Sequence, residues 1–195
     1  MQQYNSFKDW FIALDEDRMT LQEALSSLST VGAGAKEIPF IIRLLENPCM
    51  ARFRFKRFPG AVTLANHDAI HILLGRGLLP KDEAFTIGFT MGNTKEMLWI
   101  DEWLFSQIAR IFYPKPYQFS RKDIDVFRAG VHLGRLSQCQ RLDKINFKTH
   151  LTKPLSLIRK QLGLEIDLLR AYYRIEQQQF PECQESQRLI SKASP

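Results

Sequence analysis

The chain has 195 residues, 45% hydrophobic and 25% charged, enough for one domain with its own core. No apolar run approaches the ~18 residues needed to span a bilayer, and the N-terminus lacks the basic start and apolar block of a secretory signal. The net charge of +6 favours anionic partners such as lipid headgroups, phosphates or nucleic acid, without choosing among them. The three cysteines, Cys49, Cys139 and Cys183, show neither CxxC metal spacing nor a disulfide framework, so a reduced, cytoplasmic location is expected.

Along the chain the pattern reads as helix after helix. Residues 4–14 and 20–29 are two short helical segments, the second opened by Thr20 and Glu23 in capping-box spacing. A third helix is expected at 35–46, with Pro39 near its start and Asn47-Pro48 stopping it. Residues 50–60 read as irregular and basic, and only 52–58 shows strand-like alternation, too little for a sheet. Helices are expected next at 63–76, 83–91 and 94–112, the last ended by Tyr113-Pro114-Lys115-Pro116. Ser120 is an N-cap, with Asp123 three residues on, for a helix running to about Arg141. Helices at 152–162 and 165–178, broken at Gly163, complete the set. The expectation is an all-α fold: a single-domain multi-helix bundle over residues 1–180 and a frayed polar tail over 181–195.

The chemistry concentrates in Asn66–Glu83, NHDAIHILLGRGLLPKDE. Successive helical residues rotate by about 100°, so His67 and His71 lie about 40° apart and Asp68 falls about 100° from His67. Around this polar arc the helix is apolar nearly everywhere, as a buried helix is, and buried imidazoles and carboxylates need partners. Gly75 and Gly77 stop the helix. Pro80 then opens the next one, with Asp82 and Glu83 at its positive end. If the two helices run antiparallel, Glu83 and His71 stand at similar heights below the turn, at ~1.5 Å rise per residue. His67, Asp68, His71 and Glu83 then form a metal-binding helix hairpin, whose two nitrogens and two carboxylates suit zinc or divalent iron, manganese or cobalt. The competing reading is a pair of core histidines with Asp68 orienting one of them.

The pattern His67-Asp68-x-x-His71, eleven residues, then Glu83 resembles the signature of the coenzyme Q biosynthesis protein 4 family. Leu73-Leu74-Gly75, just after the second histidine, is similar to that family as well. Lys153-Pro154-Leu155 and Ile158-Arg159-Lys160-Gln161-Leu162-Gly163-Leu164 resemble, more loosely, its C-terminal segment. Phe147-Lys148 departs from the Trp-Glu of the family, and residues 58–63 lack its arginine-rich lead-in. The resemblance implies a helical protein of ubiquinone biosynthesis that associates with membranes as a peripheral protein and binds a prenylated quinone precursor or prenyl lipid. It implies a divalent metal held by His67, Asp68, His71 and Glu83. It also implies either oxidative decarboxylation and hydroxylation of the quinone ring or a scaffolding role among other quinone-biosynthesis proteins. A homodimer is compatible with the sequence.

Other features carry weaker signals. In ARFRFKRFPG (51–60), Arg52, Arg54 and Arg57 alternate with phenylalanines and suit lipid or phosphate binding. No nucleic-acid motif accompanies them, and nucleic acid is not expected as a partner. Arg76, between the turn glycines, either reaches an anionic substrate or binds the last carbonyls of its helix. His132 reads as packed or exposed rather than as a ligand. Asp101 and Glu102 could support the site, with one of them facing solvent. The aromatic stripes of 99–112 read as core or as the lining of an apolar tunnel. Two rival helical metal classes fail on counting. No histidine precedes His67, as an HD phosphohydrolase would need, and there is no Glu-x-x-His of a ferritin-like di-iron site.

Overall fold

Helix starts and stops track local chemistry closely. In the computed structural model, residues 8–30, 59–60, 62–111 and 118–190 are described, and they form eight α-helices and no strand. Helix α1 (Leu21–Thr30) opens on the expected capping box. Thr20 N–H donates to Glu23 Oε2 at 2.8 Å, and Glu23 N–H donates to Thr20 Oγ1 at 3.3 Å. Helix α2 (Leu64–Leu74) begins after Thr63 and ends at Gly75, whose φ of 67° is the left-handed geometry that glycine adopts without penalty. Helix α3 (Pro80–Asn93) carries Pro80 in its first turn, and Leu79 N–H donates to Asp82 Oδ2 at 3.1 Å.

Helix α4 covers Trp99–Ile111. Helix α5 (Arg121–Leu136) is capped by Ser120 and Asp123, each accepting the other's amide. Helices α6 (Leu155–Leu162), α7 (Ile166–Gln179) and the single turn α8 (Gln184–Gln187) complete the order. Two 3-10 turns, Leu142–Lys144 and Phe147–His150, lie between α5 and α6.

The structure differs from the sequence reading in several places, and the helices expected at 83–91 and 94–112 run instead over Pro80–Asn93 and Trp99–Ile111. Residues 8–14 are not helical. Trp10, Ile12 and Leu14 are buried, the alternation of an extended segment, and Trp10 Nε1 donates to Ser27 Oγ at 3.0 Å. Helix α5 stops at Leu136 because the chain turns to place Gln138 N–H on Glu165 Oε1 at 2.7 Å. Helix α6 starts at Leu155 rather than 152, since Pro154 disfavours helical geometry in the residue before it. The expected frayed tail is packed as far as residue 190: Ser186 and Leu189 are buried. The helix expected at 35–46 and the basic residues Arg52, Arg54 and Arg57 lie outside the described residues.

Helix α3 is the centre of the molecule, with every residue from Lys81 to Asn93 buried. Helix α5 packs on it backbone to backbone. A Cβ added at Gly92 would sit 2.1 Å from Val131 O, and one at Gly88 2.2 Å from Phe127 O. Glycine is what lets the two axes approach this closely. The extended N-terminal segment crosses the α2–α3 turn, where Leu14 lies so near Gly75 that an added Cβ would be 2.9 Å from its Cα.

Candidate metal centre

The α2–α3 hairpin closes as its spacing predicts. His67 Nε2 lies 3.0 Å from Glu83 Oε2 and 3.0 Å from His71 Nε2, and His71 Nε2 lies 3.3 Å from Glu83 Oε1. The three side chains converge on one point, and each offers one ligand atom to it. Donors ~2.0–2.2 Å from a shared ion at tetrahedral angles stand about 3.3–3.5 Å apart, close to the spacing here. Two Nε2–H groups could each donate to a separate oxygen of Glu83, which would set the two nitrogens against each other at 3.0 Å; a shared cation would engage all three atoms at once.

Burial is nearly complete: His71 is 0% exposed, Glu83 6% and His67 8%. Burial alone would raise the Glu83 carboxyl, but the two imidazoles override it and hold the group well below the usual carboxylate range. Burial likewise opposes a charged His71, and Glu83 and Asp68 prevail over it, so its pKa is raised above 6.5. Thr86 Oγ1 stands 3.3 Å from His71 Nδ1. If Thr86 accepts the Nδ1–H of a neutral ring, the Nε2 lone pair is left for a metal ion.

Asp68 sits apart from the three converging ligands but within their field. Burial pushes its carboxyl up, with Glu83 adding to the rise and His67 and His71 opposing it. Its Oδ1 is buried with no hydrogen-bond partner. An orphaned carboxylate oxygen beside two imidazoles and a second carboxylate is the environment that a divalent cation satisfies. The side chains that converge are therefore two imidazoles and one carboxylate, a donor set that could hold a metal ion, and Asp68 is not among them.

Arg76 is neither a free phosphate-binding cation nor the cap of its helix. It is fully buried and donates to Glu176 Oε1 at 3.0 Å and Oε2 at 2.6 Å. Its guanidinium lies between two rings, 4.0 Å from the Phe85 centroid and 4.3 Å from that of Tyr173. The last carbonyls of α2 are served instead by Arg159, which donates to Leu73 O at 3.1 Å and Ile72 O at 3.2 Å, and by Tyr173 Oη, which donates to Leu74 O at 2.5 Å. His132 is exposed on α5. Asp101 accepts Leu98 N–H at 2.9 Å, and Glu102 pairs with Arg128 at 3.6 Å.

Two contributors were not read from the sequence. Thr86 carried a usable signal: it lies three residues after Glu83, so it shares that face of α3. Arg159 carried none, because its partners are set by tertiary packing. No family model, curated protein or solved structure matches the chain.

Proposed function

We propose that this is a divalent-metal protein of quinone biosynthesis, which binds a prenylated quinone precursor or prenyl lipid at the hairpin and promotes oxidative decarboxylation and hydroxylation of the ring. The observation that carries the metal is the convergence of His67 Nε2, His71 Nε2 and the Glu83 carboxylate, beside the unpartnered Asp68 Oδ1. The quinone assignment rests on the resemblance of His67-Asp68-x-x-His71-x11-Glu83 to the coenzyme Q biosynthesis protein 4 signature. A bound divalent ion would supply Lewis acidity and a site for activating oxygen or water. Glu83 supplies negative charge, Thr86 holds the His71 ring, and Asp68 Oδ1 is available to complete the ligand set or to accept a hydrogen bond from a substrate. The near-complete burial of His71 and Glu83 favours a second reading, in which a closed four-ligand site serves structure and the protein binds lipid or organises partner enzymes without catalysis.

Metal analysis of the purified protein tests the shared premise. About one equivalent of divalent metal is expected, lost in His71→Ala and Glu83→Gln. Trace metal unchanged by either substitution would refute the site. Incubating the metal-loaded protein with a prenylated hydroxybenzoate and oxygen separates the readings: turnover abolished by Glu83→Gln supports the enzyme, and prenyl-lipid binding without turnover supports the scaffold.

A further inference from the structure

Helix α4 turns a large apolar face outward. Trp99 is 76% exposed, Trp103 51% and Ile111 60%, with Leu98 and Ile100 beside them. This corrects the sequence reading of these stripes as core, since of the aromatics in α4 only Phe105 is buried. At about 100° per residue, Trp99, Trp103 and Arg110 fall within about 40° of one another, along a stripe interrupted at Ser106, which lies on the same face and is buried. The face is fixed in place, because Asp101 holds the Leu98 amide at the helix start.

A groove of about 310 Å³ opens at the C-terminal end of that stripe, between α4 and α5. It is lined by Gln107, Arg110, Arg121, Asp125 and Arg128, among others. Arg128 is ion-paired with Glu102 at 3.6 Å. Among the described residues, no ion pair joins Arg110 or Arg121 to a carboxylate. With Arg128 offset by Glu102, Arg110 and Arg121 against the carboxylate of Asp125 leave the groove with one excess positive charge, on a chain whose net charge is already +6.

From this surface we infer that α4 docks onto an anionic lipid bilayer, with Trp99, Trp103 and their aliphatic neighbours entering the headgroup–acyl boundary and Arg110 and Arg121 meeting lipid phosphates. Tryptophan suits that boundary because its ring is apolar and its N–H polar. Arginine lays its stem along the apolar layer and keeps its charge at the phosphates. A second copy of the chain fits the face less well, since a two-fold contact sets the same patch against itself and brings arginines beside arginines. The docking surface is independent of the metal at the hairpin, so loss of either leaves the other testable.

The test uses the full chain with phosphatidylcholine vesicles, with and without phosphatidylserine. Cosedimentation and a blue shift of tryptophan emission are expected only with the anionic vesicles. Trp99→Ser/Trp103→Ser should abolish cosedimentation while leaving the circular dichroism spectrum unchanged, because both side chains are exposed. Arg110→Gln and Arg121→Gln should each weaken anionic partitioning by about fivefold. The inference is overturned by any of three results: no cosedimentation of the folded protein, cosedimentation indifferent to these substitutions, or protection of Trp99 and Trp103 from acrylamide before vesicles are added. A dimer in sedimentation velocity that the tryptophan substitutions dissociate would assign the face to a second copy instead.

Discussion

His71 is held at both ring nitrogens, by Glu83 through Nε2 and by Thr86 through Nδ1. Removing the Thr86 hydroxyl frees the ring to carry its proton on Nε2, where a metal must bind. Thr86→Val, which keeps the volume, should weaken metal binding by ~10–100-fold, and Thr86→Ser should restore most of it; chelator competition measures both. The same ring sets the pH dependence. In the metal-free fold its pKa is raised above 6.5 and that of Glu83 is depressed below 4.5. The raised histidine contributes stability that is present below 6.5 and lost as pH rises through its folded pKa. The depressed carboxylate contributes stability that is present above 4.5 and lost as pH falls. The pair therefore stabilises the metal-free protein most between these two values. Metal binding has the opposite slope, because the His71 proton must leave first. Affinity should fall about tenfold per pH unit once pH drops below the raised His71 pKa. Thermal melts of the metal-free and metal-loaded protein across pH 6 to 8 should diverge as pH rises.

Helix α3 joins the site to the core through two opposite faces. Glu83, Thr86 and Thr90 fall within about 60° of one another, while Gly88 and Gly92 lie about 140–180° from Glu83. One face carries the ligand and its support, and the other touches α5 backbone to backbone. In an open helix, Gly→Ala stabilises by ~1 kcal/mol. At Gly92 the sign should reverse, because the new Cβ would meet Val131 O at 2.1 Å and the neighbouring atom is backbone that cannot rotate away. Gly92→Ala should cost ~1–3 kcal/mol, lowering Tm by roughly 2–4 °C per kcal/mol. It should also weaken metal binding, since α3 moves as a unit. Equal or higher thermal stability would show that the helices can part. At this scale the sequence was readable where a local signal decides: the Thr20 and Ser120 caps, the glycine stops at Gly75 and Gly163, and the His67/His71/Glu83 geometry. It misled where two periods compete. DWFIAL in residues 9–14 fits a helical face, yet Trp10, Ile12 and Leu14 are buried at period two, because the segment is flattened against α1 and the hairpin turn. It misled again in α4, where composition says core and only the packing partner decides which aromatics are covered.

Across the whole molecule, the turn of the α2–α3 hairpin is tied to residues 176–188. Arg76 meets Glu176 from 100 residues away, and Ser186 Oγ donates to the same Oε1 at 3.0 Å. Arg188 donates to Asp82 Oδ2 at 2.5 Å, one residue before Glu83. None of this is visible locally: Gly75-Arg76-Gly77 looks like an exposed turn, and what buries it is α7, α8 and the rings of Phe85 and Tyr173. The pair is a costly device for stability alone, since both ions are stripped of water. Removing one partner should therefore hurt more than removing both. Arg76→Met strands the buried Glu176 carboxylate and should cost ~3–5 kcal/mol, whereas Arg76→Met/Glu176→Leu should recover a large part of that loss. Denaturant titrations of the two variants decide the matter. If the double variant is as unstable as the single one, the energy lies in stacking between Phe85 and Tyr173 rather than in the ion pair. If it recovers stability yet binds metal less tightly, the link from residues 176–188 serves to hold Glu83 in register with His67 and His71.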